Sequence, residues 1–275
     1  MNTVGDTKIA YFGLPSSFTH QAAIQQFGEE CTFCSCETIP DVFTAVTQQE
    51  AEFGVVPIEN SNEGAVTHTL DMFIDSPAHI YAEVFLDIHQ NLLSRHCLEE
   101  IQKVYSHPVA FGQCRKWLTD HLPQVELVDV SSTARAAEIA AAEQNAAAVA
   151  SALAAGMYGL NIIGEAIEDY EQNTTRFLVI SLSESPRAER SKTSILFSVK
   201  DRAGALYDAL SPFKESNINL TKIESRPSKK KAWEYYFYVD LEGHTKDAEI
   251  AKSLQELGLH CEFVKVLGSY ANTTR

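Results

Sequence analysis

Two short runs carry the residue types that small-molecule chemistry needs. One is Asp169-Tyr170-Glu171-Gln172-Asn173-Thr174-Thr175-Arg176-Phe177, where Arg176 offers a bidentate fork for a carboxylate and Thr175 a short, stiff hydroxyl. The other is Pro57-Ile58-Glu59-Asn60-Ser61-Asn62-Glu63-Gly64, which follows a short apolar run at 53–56. Ser106-His107-Pro108, Ser131-Ser132-Thr133 and Ser151 stand at similar points, where a strand-like run gives way to a helical pattern. Each cluster could be an ordinary cap, because Ser, Thr and Asn accept from the free N–H groups of a first helical turn. Several along one sheet edge equally suit a hydrogen-bonding cleft for a small anion. The 169–177 run likewise reads either as a cleft-lining hinge or as a turn with Arg176 paired to Glu171 or Asp169. The sequence has no Gly-rich nucleotide loop, no His-Glu-x-x-His and no Ser nucleophile elbow. Cofactor-free chemistry on a small acid, or simple binding of one, remains.

The elements that must position these residues alternate in type. Strands are expected at 9–12, 31–38, 53–56, 101–105, 125–130, 147–150, 162–167 and 177–182. Helices are expected at 20–27, from Thr38 onward, and at 64–73, 109–121, 133–143 and 152–158. This alternation argues an α/β fold with mainly parallel strands. Thr38-Ile39-Pro40-Asp41 has a capping residue, a first-turn proline and an acid at the positive end of the dipole. A long extended stretch at 81–93 and a return near 165–177 suggest two lobes with a cleft between them. Past the polar run at 183–191 the pattern becomes β-α-β-β-α-β, the ferredoxin-like arrangement. Lys229-Lys230-Lys231 reads there as a solvated hairpin tip.

Composition bounds the function. The 275 residues carry 22 Lys plus Arg against 37 Asp plus Glu, a net charge of -15. That excess of acid argues against nucleic acid or an anionic membrane as partner. No run is long and apolar enough to span a bilayer, and the N-terminal residues lack a signal-peptide core, so a cytoplasmic location is expected. Cys31, Cys34, Cys36, Cys97, Cys114 and Cys261 read as reduced thiols rather than a disulfide framework. Cys31-x-x-Cys34-x-Cys36 has no second ligand pair at zinc-ribbon spacing, so no metal site is expected.

Several motifs together resemble the prephenate dehydratase family with a C-terminal ACT domain. They are Asn173-Thr174-Thr175-Arg176-Phe177, Glu224-Ser225-Arg226-Pro227, Val56-Pro57-Ile58-Glu59-Asn60-Ser61 with Gly64 and Val66, and Ser106-His107-Pro108 with Gln113-Cys114. Gly204-Ala205-Leu206 and Phe18-Thr19-His20-Gln21-Ala22-Ala23 also match. One stretch departs: the family's usual Gly-Pro-x-Gly-Thr reads Gly13-Leu14-Pro15-Ser16-Ser17 here.

The resemblance implies a two-lobed, periplasmic-binding-protein-like catalytic domain over 1–183, a linker at 184–191 and an ACT regulatory domain over 192–275. Lobe one would take 7–82 plus 168–183, and lobe two 83–167. It implies cofactor-free conversion of prephenate to phenylpyruvate, with loss of CO2 and water, in phenylalanine synthesis. Little chain precedes the first motif, so a monofunctional enzyme is expected. Thr175 would be the catalytic hydroxyl and Glu59 a proton source or a structural group. Asn60, Ser61, Ser106, Gln113, Thr133, Asn173, Arg176 and Phe177 would bind or line the substrate site, with Arg176 and helix N-termini holding the dianion. The ACT domain would bind phenylalanine at an interface in a homodimer or homotetramer. Gly204, Ala205, Leu206, Asn217, Asn219, Glu224, Ser225, Arg226 and Pro227 would contact it. The alternatives are preference for arogenate, the amino counterpart of prephenate, and a non-catalytic sensor of the same fold.

Overall fold

The computed structural model describes residues 7–170, 172–228 and 233–273; Glu171 and the expected lysine hairpin tip at 229–231 lie outside the described residues. The chain begins with β1 (Lys8–Phe12), α1 (Phe18–Phe27), β2 (Thr32–Cys36), α2 (Ile39–Thr47), β3 (Phe53–Asn60), β4 (Gly64–Ala65), α3 (Thr67–Met72) and β5 (His79–Asp87). Next come β6 (Asn91–Ser94), β7 (Lys103–Ser106), α4 (Pro108–Gln113), α5 (Arg115–His121), β8 (Glu126–Asp129) and α6 (Thr133–Ala142). β9 (Ala146–Ala150), α7 (Ala152–Tyr158), β10 (Asn161–Gly164) and β11 (Thr174–Ser181) complete this part. The last part is β12 (Ser191–Val199), α8 (Ala205–Glu215), β13 (Leu220–Pro227), β14 (Tyr235–Glu242), α9 (Ala248–His260) and β15 (Cys261–Ala271).

These strands form three sheets: β2-β1-β3-β11-β5 with β4 beside β3, then β10-β6-β9-β7-β8, then β13-β14-β12-β15. The first two are the expected lobes, but both are mixed rather than mainly parallel, with β11 antiparallel to β3 and β5, and β6 antiparallel to β9 and β10. The third has the strand order of a ferredoxin-like βαββαβ unit. Local signals explain much of this. Thr38 and Asp41 close a reciprocal capping box at the head of α2. β9 is Ala-Ala-Ala-Val-Ala with every residue buried, as a central strand covered on both faces requires.

Several boundaries differ from expectation. β3 runs past 56 to Asn60, and β11 begins at Thr174 rather than 177. The helix expected over 109–121 divides at Cys114, and the one over 64–73 becomes β4 plus α3. The extended stretch at 81–93 splits into β5 and β6, which belong to different sheets. The chain therefore crosses between lobes twice, and the crossings are laced together. Ile88 N–H donates to the Asn173 carbonyl (2.7 Å) and Ile167 N–H to the Gln90 carbonyl (2.8 Å). Gln90 N–H donates to Glu168 Oε2 (2.9 Å).

The third sheet lies directly on the first. One buried apolar cluster joins Ala10, Val56, Ile58, Leu178 and Ile180 to Leu196, Tyr236, Tyr238 and Leu267. Strand β15 runs so close to β5 that a Cβ on Gly268 would sit 2.3 Å from the Ile80 carbonyl oxygen. Only glycine allows that backbone approach. Lys265 adds a polar tie by donating to the carbonyls of Phe73 (2.8 Å) and Ser76 (2.6 Å) just past the end of α3.

Candidate active site

Strand alternation decides which residues can meet. In the antiparallel pairing of β11 with β3, Thr175 stands opposite Asn60 and Arg176 opposite Glu59. Paired residues share a face and neighbours along a strand do not. Thr175 and Asn60 therefore point one way, Arg176 and Glu59 the other.

On the first face a neutral hydrogen-bonded set forms. Asn60 Nδ2 donates to Thr175 Oγ1 (2.8 Å) and to Asn173 Oδ1 (2.8 Å). Its Oδ1 accepts from the backbone N–H groups of Asn62 (2.9 Å) and Glu63 (3.0 Å), so the amide is fully engaged and cannot rotate. Asn173 Nδ2 donates to Gln113 Oε1 (3.3 Å), which also accepts from Gln90 Nε2 (3.2 Å). That leaves the Gln113 NH2 group for the cleft it lines. Because Asn60 donates to the Thr175 oxygen, the Thr175 proton is released to point elsewhere. Ser61 clamps the strand start: its N–H donates to the Thr174 carbonyl (2.9 Å) and its Oγ accepts from Thr174 N–H (3.1 Å).

Beside this set opens a cleft of about 1210 Å³ lined by Ser61, Asn62, Glu63, Val109, Gln113, Asp169 and Tyr170. Asp169 accepts from the N–H groups of Lys116 (2.9 Å) and Trp117 (3.2 Å) at the head of α5. Its own N–H donates to the Gln113 carbonyl (2.7 Å), so the return segment fixes Gln113 in place. The loop that departs from the family motif is held at Ser16 by two hydrogen bonds. Ser16, at the position of the family's second glycine, adopts φ 71, the left-handed region. Its N–H donates to His20 Nδ1 (3.2 Å), and its carbonyl accepts from Ser151 Oγ (2.9 Å) across the lobes. Burial lowers the His20 pKa, which keeps that nitrogen an acceptor.

Several expected roles do not fit this geometry. Arg176 is not placed to act as a substrate fork. It is buried on the opposite face, where Nε donates to Glu83 (2.8 Å), one terminal nitrogen to Asp240 (2.6 Å) and the other to the Tyr270 hydroxyl (3.0 Å). Burial alone would lower its pKa, but Tyr270, Asp240 and Glu83 outweigh it and the net shift is upward. Glu59 does not face the cleft; its carboxylate pairs with Lys222 of β13 at 2.6 Å. Phe177 is buried in the core with Ile9, Tyr11, Val55 and Val84 rather than lining a pocket. Ser106 spends its hydroxyl on the Val149 carbonyl (2.8 Å) inside lobe two. Thr133 opens α6 and has no described contact with the Asn60–Thr175 set.

The ACT-type residues fall at two ends of one unit. Gly204, with φ 78, caps α8, and Ala205 and Leu206 open it beside a pocket of about 260 Å³. Asn217 and Asn219 lie past the other end of α8, in a groove of about 1210 Å³. Glu224 and Arg226 alternate with Ser225 and Pro227 along β13, and Arg226 reaches Asp71 of α3 at 3.3 Å.

The family model for prephenate dehydratase matches residues 9–185. This chain belongs to the prephenate dehydratase family. The ACT domain model matches residues 193–259 of this family member. It is 51% identical over 264 residues to the bifunctional chorismate mutase/prephenate dehydratase of Aquifex aeolicus, covering 96% of this chain and 73% of that protein. Prephenate dehydratase from Arthrobacter aurescens in complex with L-Phe superposes with a TM-score of 0.89 and 32% identity, over 97% of this chain and 90% of that one. The quorum-quenching acylase GqqA also superposes at 0.89, with 31% identity over 97% and 98% of the two chains. The dehydratase motifs thus sit on a shared scaffold. Glu83, Gln90, Lys222, Asp240 and Tyr270 hold this arrangement together and motif reading misses them. For Glu83 and Asp240 the signal is a charged side chain inside an otherwise apolar strand; Lys222, on the mostly polar β13, and Gln90, between β5 and β6, carry no such mark.

Proposed function

We propose that the protein is a cytoplasmic prephenate dehydratase, converting prephenate to phenylpyruvate under phenylalanine control. The observation that carries this reading is Thr175, held by Asn60 with its hydroxyl proton free, beside a cleft to which Asn62 and Gln113 bring neutral amides. In the reaction the ring carboxylate leaves as CO2, its bonding electrons enter the ring, and the ring hydroxyl departs to leave an aromatic product. Aromaticity supplies the driving force, so orientation and a donor to the departing oxygen are what the protein must add. Thr175 is that donor. Its hydroxyl is far too weak an acid to ionise, so it stabilises the leaving oxygen by hydrogen bonding while water supplies the proton. Gln113, Ser61 and Asn173 shape the cleft, and Ser106 and Thr133 support lobe two. With Arg176 committed elsewhere, the dianion is held by amide donors and backbone N–H groups. Hydrolysis of an acyl bond is less well served, because the Asn60–Thr175 set includes no base to activate water.

Three further points belong to this reading. The catalytic domain spans 1–183 (lobes 7–82 plus 168–183, and 83–167), and the linker at 184–191 leads to the ACT domain at 192–275. Phenylalanine binds through Gly204, Ala205, Leu206, Asn217, Asn219 and the Glu224–Pro227 strand. The two ends of α8 are about 16 Å apart at helical rise, so one chain does not bring both sets into one pocket; a homodimer or larger assembly does. Incubation of purified protein with prephenate, with and without phenylalanine, should give phenylpyruvate at a rate that phenylalanine lowers. Binding of prephenate without turnover would overturn the reading.

A further inference from the structure

The face of the first sheet opposite Thr175 is not merely packed; it is wired. Glu59 and Arg176 are register partners one residue from the Asn60–Thr175 pair. Across the domain contact, Lys222 pairs with Glu59 at 2.6 Å and Asp240 pairs with Arg176 at 2.6 Å. Lys222 and Asp240 are themselves register partners on β13 and β14. One rung across β13 and β14 thus grips one rung across β3 and β11. A strand is stiff over one residue, so moving the Glu59 or Arg176 backbone moves Asn60 or Thr175 with it.

The position of Lys222 gives the grip a direction. It lies on β13, an edge strand, between Asn219, which immediately precedes the strand, and Glu224 within it, both expected to meet the effector. The Lys222 side chain is 12% exposed, so the lysine is held within the contact, whereas Glu59 keeps a solvent side. A displacement of β13 is therefore delivered first to Glu59, then to the amide that holds Thr175.

We propose that the Lys222–Glu59 and Asp240–Arg176 pairs are the positioning contacts through which the regulatory sheet sets the Asn60–Thr175 geometry. This rests on the phenylalanine-controlled reading above. The test is Lys222→Met, which keeps the aliphatic stem and removes the charge. Three quantities are measured: phenylalanine affinity by calorimetry, half-inhibition by phenylalanine, and hydrogen exchange of peptides covering 57–63 and 173–178 with and without phenylalanine. The expected result is unchanged affinity, a half-inhibiting concentration raised about tenfold, a typical coupling size, and loss of the exchange response seen in the wild-type protein. Glu59→Gln should do the same, and the double variant should be no worse than either single one. Inhibition and exchange response both unchanged in Lys222→Met would overturn the proposal. So would affinity lost in parallel with inhibition, which would make Lys222 part of the effector pocket. Failure of the wild-type protein to turn over prephenate would count against the dehydratase reading alone, because the exchange measurement reads the contact without catalysis.

Discussion

Replacing Thr175 with valine removes one oxygen and keeps the shape, which makes it the sharpest probe of the site. Two costs follow from the structure. In the folded state Asn60 Nδ2 loses the acceptor it now has at 2.8 Å. Thr175 is 9% exposed, so water replaces that acceptor poorly and stability should fall by about 1–3 kcal/mol. In the transition state the departing hydroxyl loses its placed donor. Removing one such donor from a preorganised site lowers kcat by roughly 10²–10³, about 2.7–4 kcal/mol. KM should change little, because the hydroxyl acts where charge develops rather than where the substrate is held. Thr175→Ser keeps the oxygen and should retain most of kcat. The assay follows phenylpyruvate by absorbance in alkali after timed quenching, with circular dichroism to confirm folding. Because the set around Thr175 is neutral, kcat should also stay flat from about pH 6 to 9, with no acid or base limb of the kind a titrating donor gives. A Thr175→Val protein within threefold of wild-type kcat would refute the assignment, and a carboxylate-like limb in the pH profile would return a proton donor to the mechanism.

Other perturbations test the parts that hold the site. Arg176→Met strands the Asp240 carboxylate on the buried face and leaves Glu83 with Lys192 alone, and breaking a buried pair from one side costs about 3–5 kcal/mol. Urea unfolding should show that loss; a raised KM for prephenate at unchanged stability would instead return Arg176 to the substrate. Gly268→Ala would press a methyl to within 2.3 Å of the Ile80 carbonyl, so β15 must move off β5. Its melting temperature should fall by several degrees, and an unshifted transition would deny the close approach. His20 has a folded pKa lowered by burial, so its contribution is intact above the unfolded value near 6.5 and is lost as pH falls through the folded one. Protonation also breaks the Ser16 N–H contact at 3.2 Å. Stability should therefore decline below about pH 6.5 and His20→Gln should flatten that decline; an identical slope in the variant would clear His20 of the effect.

Much of the architecture can be read from residue pattern, because alternation of short apolar strands with capped helices leaves few other folds. The reading goes astray where a strand end is mistaken for a turn. Taking 169–177 as a hinge that lines the cleft allows Thr175 and Arg176 to face it together. Once β11 is seen to start at Thr174, adjacent residues must face opposite ways and only one of them can. The same holds for Glu59 and Asn60 at the end of β3. Glu83 within Ile-Tyr-Ala-Glu-Val-Phe-Leu and Asp240 within Tyr-Val-Asp-Leu announce buried partners by their setting, but nothing local names those partners. Lys192 for Glu83 and Arg176 for Asp240 come from another sheet, and long-range pairing leaves no mark on spacing.

The buried contact between sheets also limits how this chain could be recombined. Arg176 and Lys192 face Glu83 and Asp240, so the set is balanced at two cations and two anions. A regulatory unit borrowed from another enzyme would need more than the right fold and effector pocket. It would have to bring an acid at the Asp240 position, a lysine at Lys222 and a glycine at Gly268, or the graft would bury an unmatched charge or fail to seat. Parts that evolve under such mutual terms are inherited together, and a successful chimera of this enzyme should be cut outside both sheets or not at all.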